Sequence, residues 1–395
     1  MDLFWCTPST VVARSHLSAA NRILRIMSVY TKDIFCSSLQ GMIKNVRKIA
    51  ASANLSATVQ KSVFEGEDVA VKSFHEMTSI TKRYKELEML LRLNHPNILI
   101  AYAAGPDIEN GSLDFIVTEY ASCGDLNNLI HNSMMPYNLS NALSWMLQLS
   151  RAVAYLHNDC EPKIIHRDIK PANLFLFNQG HVLKVGDFGS AGMDGLNSPT
   201  RRGTWTYMAP ELFGSHTVYD RKADVYSSSI TFWEILARRF PSPPNEPFIV
   251  TLKNLTVEKR RPPKLSKCPP ALRNLLASAW SEDPQSRPNM SEIAIFLQFV
   301  GDSLLKSGLL PPPLPIEAIS NRRLTGDKDA CEDLVWQGEE EKQDVCIDSE
   351  WNVSEWDSCF CRQPCEELVV CQPECSTHPQ SMDFGELNIV CDVDQ

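Results

Sequence analysis

Four short motifs, separated by long stretches of ordinary sequence, constrain this chain more than any other feature. Lys72 closes Val69-Ala70-Val71-Lys72. Asp168 follows 96 residues later, inside His166-Arg167-Asp168-Ile169-Lys170-Pro171-Ala172-Asn173. Asp187-Phe188-Gly189 begins 19 residues after Asp168, and Ala209-Pro210-Glu211 ends 24 residues after Asp187. Groups so far apart serve one site only if packed layers return the chain to the same place several times. Any one of these acids alone would read as a solvated loop residue or an Asx-turn.

The sequence between the motifs supplies the elements. Val69–Lys72 reads as a strand entered from the turn Glu65-Gly66-Glu67-Asp68. Tyr84, Leu87, Leu90 and Leu91 recur at helical spacing, which predicts a helix over 81–93 stopped before Pro96. Ile116-Val117-Thr118 reads as a short strand. Leu143, Met146, Leu147, Ala152, Val153 and Leu156 predict a helix over 139–157. From there to about 300 the chain reads as mainly helical, with proline-bearing loops at 241–247 and 262–270. Leu309-Leu310-Pro311-Pro312-Pro313-Leu314-Pro315 cannot continue a helix and favours an extended spacer. Strands first and helices afterwards predict an α+β fold in two lobes. The expected organisation is an N-terminal extension over 1–45, a strand-rich lobe and hinge over 46–126 and a helix-rich lobe over 127–302. A proline-rich linker over 303–315 and an acidic, cysteine-rich tail over 316–395, expected to be unfolded, follow.

Charge divides at the same proline run. The formal net charge is −10, yet 311–395 holds 5 basic and 20 acidic residues against 33 and 28 in the rest. That leaves no basic stripe of the kind a nucleic-acid binder shows. No run of 18 apolar residues occurs, so no membrane-spanning helix is expected. Eight of the 13 cysteines lie between Cys331 and Cys391. Cys6, Cys36, Cys123, Cys160 and Cys268 are scattered singly, which points to a reduced, cytoplasmic setting. The first thirty residues lack the apolar core of a secretory signal. Arg14, Arg22 and Arg25, with Asp2 as the sole acid among them, are faintly like a transit peptide, and an irregular leader is the preferred reading.

In order and spacing the four motifs resemble the protein-kinase signature set, over roughly residues 46–302. The resemblance implies the bilobal protein-kinase fold, with a small antiparallel-sheet N-lobe carrying one helix and a larger helical C-lobe. It implies ATP and Mg2+ as cofactors and a protein as phosphoryl acceptor. Such transfer is mostly positioning plus neutralisation of phosphate charge. Ala70 and Lys72 share one strand face, which sets a small apolar side chain over the adenine and an ammonium on the phosphates. Glu86 is the expected partner of Lys72, from its spacing to His95-Pro96-Asn97, with Glu88 as the alternative. Asp168 would accept or orient the proton of the substrate hydroxyl, with Lys170 beside it. Asn173 and Asp187 would hold magnesium, a hard cation that prefers oxygen ligands. Val59, Glu119, Ala121 and Phe175 complete the expected nucleotide site.

Lys170 and Thr204, the latter in Gly203-Thr204-Trp205, resemble the serine/threonine pattern. Asp224-Val225-Tyr226-Ser227, Phe232-Trp233-Glu234-Ile235 and Ala279-Trp280-Ser281-Glu282-Asp283-Pro284 resemble the tyrosine-kinase-like branch. Within it, Thr118-Glu119-Tyr120-Ala121-Ser122-Cys123-Gly124-Asp125-Leu126 and Ala152-Val153-Ala154-Tyr155-Leu156-His157 are similar to the transforming-growth-factor-β-activated MAP kinase kinase kinases. That implies a MAP kinase kinase as protein substrate and a role in signal transduction; an adaptor or activator protein is a further candidate partner, but the adaptor-docking coiled coil of the related kinase does not carry over, because no heptads run in the tail. Arg167 is expected to pair with a phosphorylated activation segment over 187–211, in which Ser198 or Thr200 is the activating site and Thr204 a third hydroxyl. Glu211 and Arg287 would form a buried ion pair. Asp224 would brace the catalytic loop through backbone N–H groups, or cap its own helix.

One part of the signature is missing. Counted back from Val59, the three glycines of the phosphate-covering loop are replaced by Ser52, Asn54 and Ala57. Glycine lets the backbone approach phosphates closely and adopt open dihedrals; each replacement adds a Cβ. Two readings follow: an active kinase with weakened nucleotide handling, or a kinase-fold scaffold or competitor with little turnover. The complete set Lys72, Glu86, Asp168, Asn173 and Asp187 favours the first. In the tail, Cys359, Cys361, Cys365, Cys371 and Cys375 lack the paired C-x₂-C spacing of a zinc site, so an interaction tail is preferred.

Overall fold

The computed structural model describes residues 44–51, 57–64, 66–75, 78–106, 113–133, 135–193, 204–213, 220–243, 246–265 and 268–318. Ser52, Asn54, Ser198, Thr200 and the tail cysteines lie outside them.

Strand residues of the first lobe alternate between two faces, and that alternation builds the lobe. Strands β1 (Lys44–Ala51), β2 (Ala57–Phe64), β3 (Glu67–Phe74), β4 (Ala101–Pro106) and β5 (Leu113–Glu119) form one antiparallel sheet in the order β1-β2-β3-β5-β4. In β3, Val69 and Val71 are buried with Phe64, Ala103 and Val117. Ala70 and Lys72 therefore point to the opposite face. The register sets Val59 opposite Lys72, Lys72 opposite Ile116 and Ala70 opposite Thr118. β1 starts at Lys44, inside the span assigned from sequence to the N-terminal extension.

Helix α1 (Ile80–Arg92) crosses behind the sheet. The Ser79 side chain caps it by accepting from the Lys82 N–H, satisfying one of the orphan donors of the first turn. Arg83, Glu86, Leu87, Met89 and Leu90 form its buried face.

The second lobe contains α2 (Leu126–His131), α3 (Leu139–Asn158), α4 (Arg221–Ala237), α5 (Phe248–Thr256), α6 (Pro270–Ala279) and α7 (Met290–Lys306). α4 is buried almost throughout, from Ala223 to Leu236, and carries buried polar side chains including Asp224 and Glu234 among its apolar ones. Among the described residues no helix is long and apolar enough to cross a membrane.

The structure departs from the sequence expectation in two places. The described residues of 164–193 and 204–213 form no α-helix. They form β6 (Ile164–Ile165), β7 (Leu174–Phe177), β8 (Val182–Val185) and β9 (Gly192–Met193), linked by single turns of 3-10 helix. β7 and β8 read as strands in retrospect: Leu174, Leu176, Leu183 and Val185 are buried at alternate positions. Asn178, Gln179 and Gly180 turn that hairpin with positive φ. At the other end, α7 runs to Lys306 rather than stopping at 302, and the proline run is extended but not detached. It lies against the lower lobe, with Leu310 and Ile316 buried, because side chains of Asn138, Ser140 and Asn141 bind its carbonyls.

Candidate active site

β3 and α1 together place the first ion pair. The Lys72 ammonium donates to Glu86 Oε1 at 2.6 Å and to Asp187 Oδ1 at 3.1 Å. Glu88 instead faces Arg92 on the exposed side of the helix, at 3.3 Å. Burial pulls the Lys72 pKa down, but Asp187 and Glu86 outweigh it and hold it above the usual lysine value. Asp187 is held well below the usual carboxylate range, chiefly by the Lys72 charge. Both groups therefore stay ionised at neutral pH.

Asp187 adopts a left-handed backbone, φ 59°, a conformation that Asp tolerates better than most residues. Phe188 beside it is fully buried and meets His166 edge-on at 4.9 Å. That packing keeps the Asp187 carboxylate turned toward Lys72. A Cβ at Gly189 would lie 3.0 Å from Lys82 Cε and 3.3 Å from Glu86 Oε2, so those side chains would have to shift by a few tenths of an ångström.

Around Asp168 the donors converge from three directions. Lys170 Nζ donates to Oδ2 at 2.9 Å and to Thr204 Oγ1 at 2.6 Å. Thr204 donates to Oδ1 from its backbone N–H at 3.0 Å and from its hydroxyl at 3.1 Å. Asn173 Nδ2 donates to the Asp168 carbonyl at 2.7 Å and to Oδ2 at 3.1 Å. With its amide nitrogen so engaged, the oxygen of Asn173 is the atom left for a cation. That oxygen and the ionised Asp187 are hard donors, a set that fits magnesium.

The loop carrying Asp168 hangs from the middle of the lobe. Asp224 is fully buried in the first turn of α4 and accepts from the backbone N–H groups of His166 and Arg167, at 2.8 and 2.9 Å, and from His157 Nε2 at 2.9 Å. The helix cap is Asp220, so Asp224 is free of that role. Arg287 joins Glu211 with two nitrogens, at 2.7 and 2.8 Å. Arg167 donates to the Met193 carbonyl at 3.2 Å and covers Gly192, where a Cβ would lie 2.4 Å from its guanidinium carbon.

Of the remaining expected positions, Val59 on β2 pairs with Lys72, Ala70 on β3 with Thr118 and Phe175 on β7 with Lys184, while the Ala121 carbonyl accepts from the Gly124 N–H at 2.9 Å. The Glu119 carboxylate accepts from the Ile100 N–H and from Lys184 at 2.7 Å, so it braces the hinge rather than facing a ligand. Ala57 starts β2 opposite Phe74 and is completely buried.

The Protein kinase domain family matches residues 55–295. The chain belongs to the protein kinase family. Mitogen-activated protein kinase kinase kinase 7 of Homo sapiens is 37% identical over 244 residues, covering 60% of this chain and 38% of that protein. The putative mitogen-activated protein kinase kinase kinase 7-like protein of Drosophila melanogaster is 34% identical over 254 residues, 62% of this chain and 63% of the relative. Serine/threonine/tyrosine-protein kinase HT1 of Arabidopsis thaliana is 34% identical over 278 residues, 66% and 67%. These likenesses place the kinase with the serine/threonine, tyrosine-kinase-like group. It spans only 34% of another Drosophila melanogaster relative, mitogen-activated protein kinase kinase kinase 7.

Sequence reading missed three groups that brace this kinase site. Lys184 ties β8 to Glu119. Asn97 donates to Gln148 and to the Leu183 carbonyl, both at 2.8 Å, joining the turn after α1 to the strand that leads into Asp187. Glu234, fully buried in α4, accepts from Tyr207 at 2.8 Å and lies 2.6 Å from His131 Nε2. Glu234 alone carried a signal, as an acid inside the apolar run Phe232-Trp233-Glu234-Ile235.

Proposed function

We propose that the chain is an ATP- and magnesium-dependent serine/threonine kinase that phosphorylates MAP kinase kinases in a cytoplasmic signalling cascade. One observation carries the reading: Lys72 reaches Glu86 and Asp187 at once while Asp168 is clasped by Lys170, Asn173 and Thr204. Lys72 would hold phosphate oxygens of the nucleotide. Asp168 would orient the attacking hydroxyl and receive its proton, and Lys170 would offset the charge that develops there. Asn173 and Asp187 would hold Mg2+, whose charge would neutralise the phosphates. Similarity to MAP kinase kinase kinases supports the substrate class, with an adaptor or activator as further partner. Phosphate on Ser198 or Thr200 would pair with Arg167 and order the activation segment.

Transfer of labelled phosphate from ATP to a purified MAP kinase kinase tests the reading, with Asp187→Ala as control. Transfer no greater than the control's would favour the second reading, a kinase-fold scaffold or competitor, which the side chains at Ser52, Asn54 and Ala57 support. Replacing Ser198 and Thr200 together by Ala should remove the activity that phosphatase treatment also removes; a fully active double variant would refute the regulatory assignment.

A further inference from the structure

Residues 309–316 make contacts that no step of phosphoryl transfer uses. Leaving α7, they run along the N-terminal end of α3, and that end grips them. Asn138 Nδ2 donates to the Pro312 carbonyl at 2.7 Å, and the Ser140 hydroxyl donates to the Pro311 carbonyl. Asn141 binds Leu314 both ways, donating to its carbonyl at 2.9 Å and accepting from its N–H at 3.0 Å. Asn141 is only 1% exposed; its Oδ1 also accepts from the Asn138 N–H at 3.1 Å, and this segment supplies the acceptor for its Nδ2.

The segment ends in a socket. Ile316 is 1% exposed and fills the space beneath Gly180. A Cβ on Gly180 would lie 2.4 Å from Ile316 Cγ1 and 3.7 Å from Trp145 Cζ2. Trp145 fixes that turn by donating from Nε1 to the Gly180 carbonyl at 2.7 Å. Ile316 itself bonds on both sides. Its N–H donates to the Gln179 carbonyl at 2.9 Å, and its carbonyl accepts from the Cys123 thiol at 3.3 Å.

Those two partners belong to the two walls of the nucleotide cleft. Cys123 continues the hinge two residues past Ala121. Gln179 turns the hairpin whose first strand carries Phe175. The walls also touch directly: Cys123 N donates to the Leu176 carbonyl at 3.2 Å, Leu176 N to the Gly124 carbonyl at 2.9 Å, and Asp125 bridges Phe175. Ile316 thus spans hinge and hairpin on the side away from the cleft.

We propose that residues 310–316 are a strap that fixes the spacing between hinge and β7, with Ile316 as a positioning residue for the nucleotide site. The proposal rests on the reading of the cleft as an ATP site. With Ile316 withdrawn, the hairpin turn loses its apolar filling and the hinge loses an acceptor. Phe175 is then held less firmly against the adenine position, so nucleotide affinity falls.

The test uses the full chain with Ile316→Ala, Ile316→Asp and Leu314→Ala, and measures binding of a non-hydrolysable ATP analogue with Mg2+ by calorimetry beside melting temperature. Displacements of about 1 Å in a binding site cost up to about 10²-fold. On that scale, Ile316→Asp should weaken analogue binding by about tenfold and Ile316→Ala by about threefold. Leu314→Ala should change it less than twofold, since its partners hold Leu314 by its backbone. A synthetic peptide of residues 309–318, added to Ile316→Asp, should restore most of the affinity. Wild-type affinity in both Ile316 variants, with or without a lower melting temperature, would overturn the strap. If Ile316→Asp does not fold, Ile316→Ala decides by the same criterion. A wild-type chain that binds no analogue would overturn the ATP-site reading and the strap with it, whereas normal binding by the variants removes the strap alone.

Discussion

The floor and the roof of the proposed nucleotide cleft are built to different standards. On the floor, Asp168, Lys170, Asn173 and Thr204 form one closed set of hydrogen bonds, and Asp187 is tied to Lys72. On the roof, Ser52, Asn54 and Ala57 occupy the three positions where the kinase pattern has glycine. The contrast separates two ways a residue can serve phosphates. The floor acts through side-chain charge, which no other residue type supplies. The roof acts through backbone N–H groups, which every residue except proline supplies, and its glycines contribute closeness of approach. Loss on the floor removes chemistry; loss on the roof weakens binding.

The largest effect that can break this contrast is on rate. Asp168→Asn should lower kcat by about 10²–10⁴-fold and leave binding of an ATP analogue nearly unchanged; transfer above a tenth of wild type would move the chemistry off this loop. Next comes the support of the floor. Glu211→Ala leaves the Arg287 guanidinium buried without its carboxylate. Such a loss costs about 3–5 kcal/mol for a fully buried pair; because the Glu211 side chain is 28% exposed, we expect the low end, read from denaturant unfolding. A loss under about 1 kcal/mol, the value of surface pairs, would show the pair to be dispensable. On the roof, glycine at 52, 54 and 57 together should tighten ATP binding by about three- to tenfold with little change in kcat, because glycine lets the backbone approach the phosphates more closely. Unchanged affinity would end the account of the roof given above.

The smallest effect tests the seam between the lobes. Burial lowers the His95 pKa to about 4, while the unfolded chain titrates near the ordinary value of about 6.5. Between these values the unfolded state binds more protons. Stability is therefore full above pH ~6.5 and is lost as pH falls toward ~4. His95 Nδ1 accepts from the Asn97 N–H at 3.1 Å, and the ring stacks on Tyr155 at 5.1 Å, so protonation removes an acceptor at this junction. His95→Asn keeps an acceptor for that N–H, and its melting temperature should fall less than the wild type's from pH 7 to about pH 5. Parallel pH curves would show that another group dominates.

The floor was legible in the sequence because charged side chains at fixed spacing survive in a one-dimensional reading. Spacing to His95 was enough to prefer Glu86 over Glu88. Partners across long separations were not legible: nothing near Glu119 announces Lys184, 65 residues on, and nothing near Asn97 announces Gln148. Residues 164–193 were misread as helical because four-residue strands and single 3-10 turns leave too few positions to show a period. Proline fixes φ in the same range whether a segment is free or docked, so the run at 311–315 could be read as extended but not as bound.

The way that run is held has an evolutionary consequence. Asn138, Ser140 and Asn141 grip carbonyls and one N–H of the strap, atoms common to every sequence. Pro311, Pro312 and Pro315 are exposed and contribute a backbone shape rather than contacts. The letters from 311 to 315 are thus free to drift so long as the chain stays extended. Selection should act on Ile316, on the glycine above it and on the two asparagines that hold the strap, four residues that must change together or not at all.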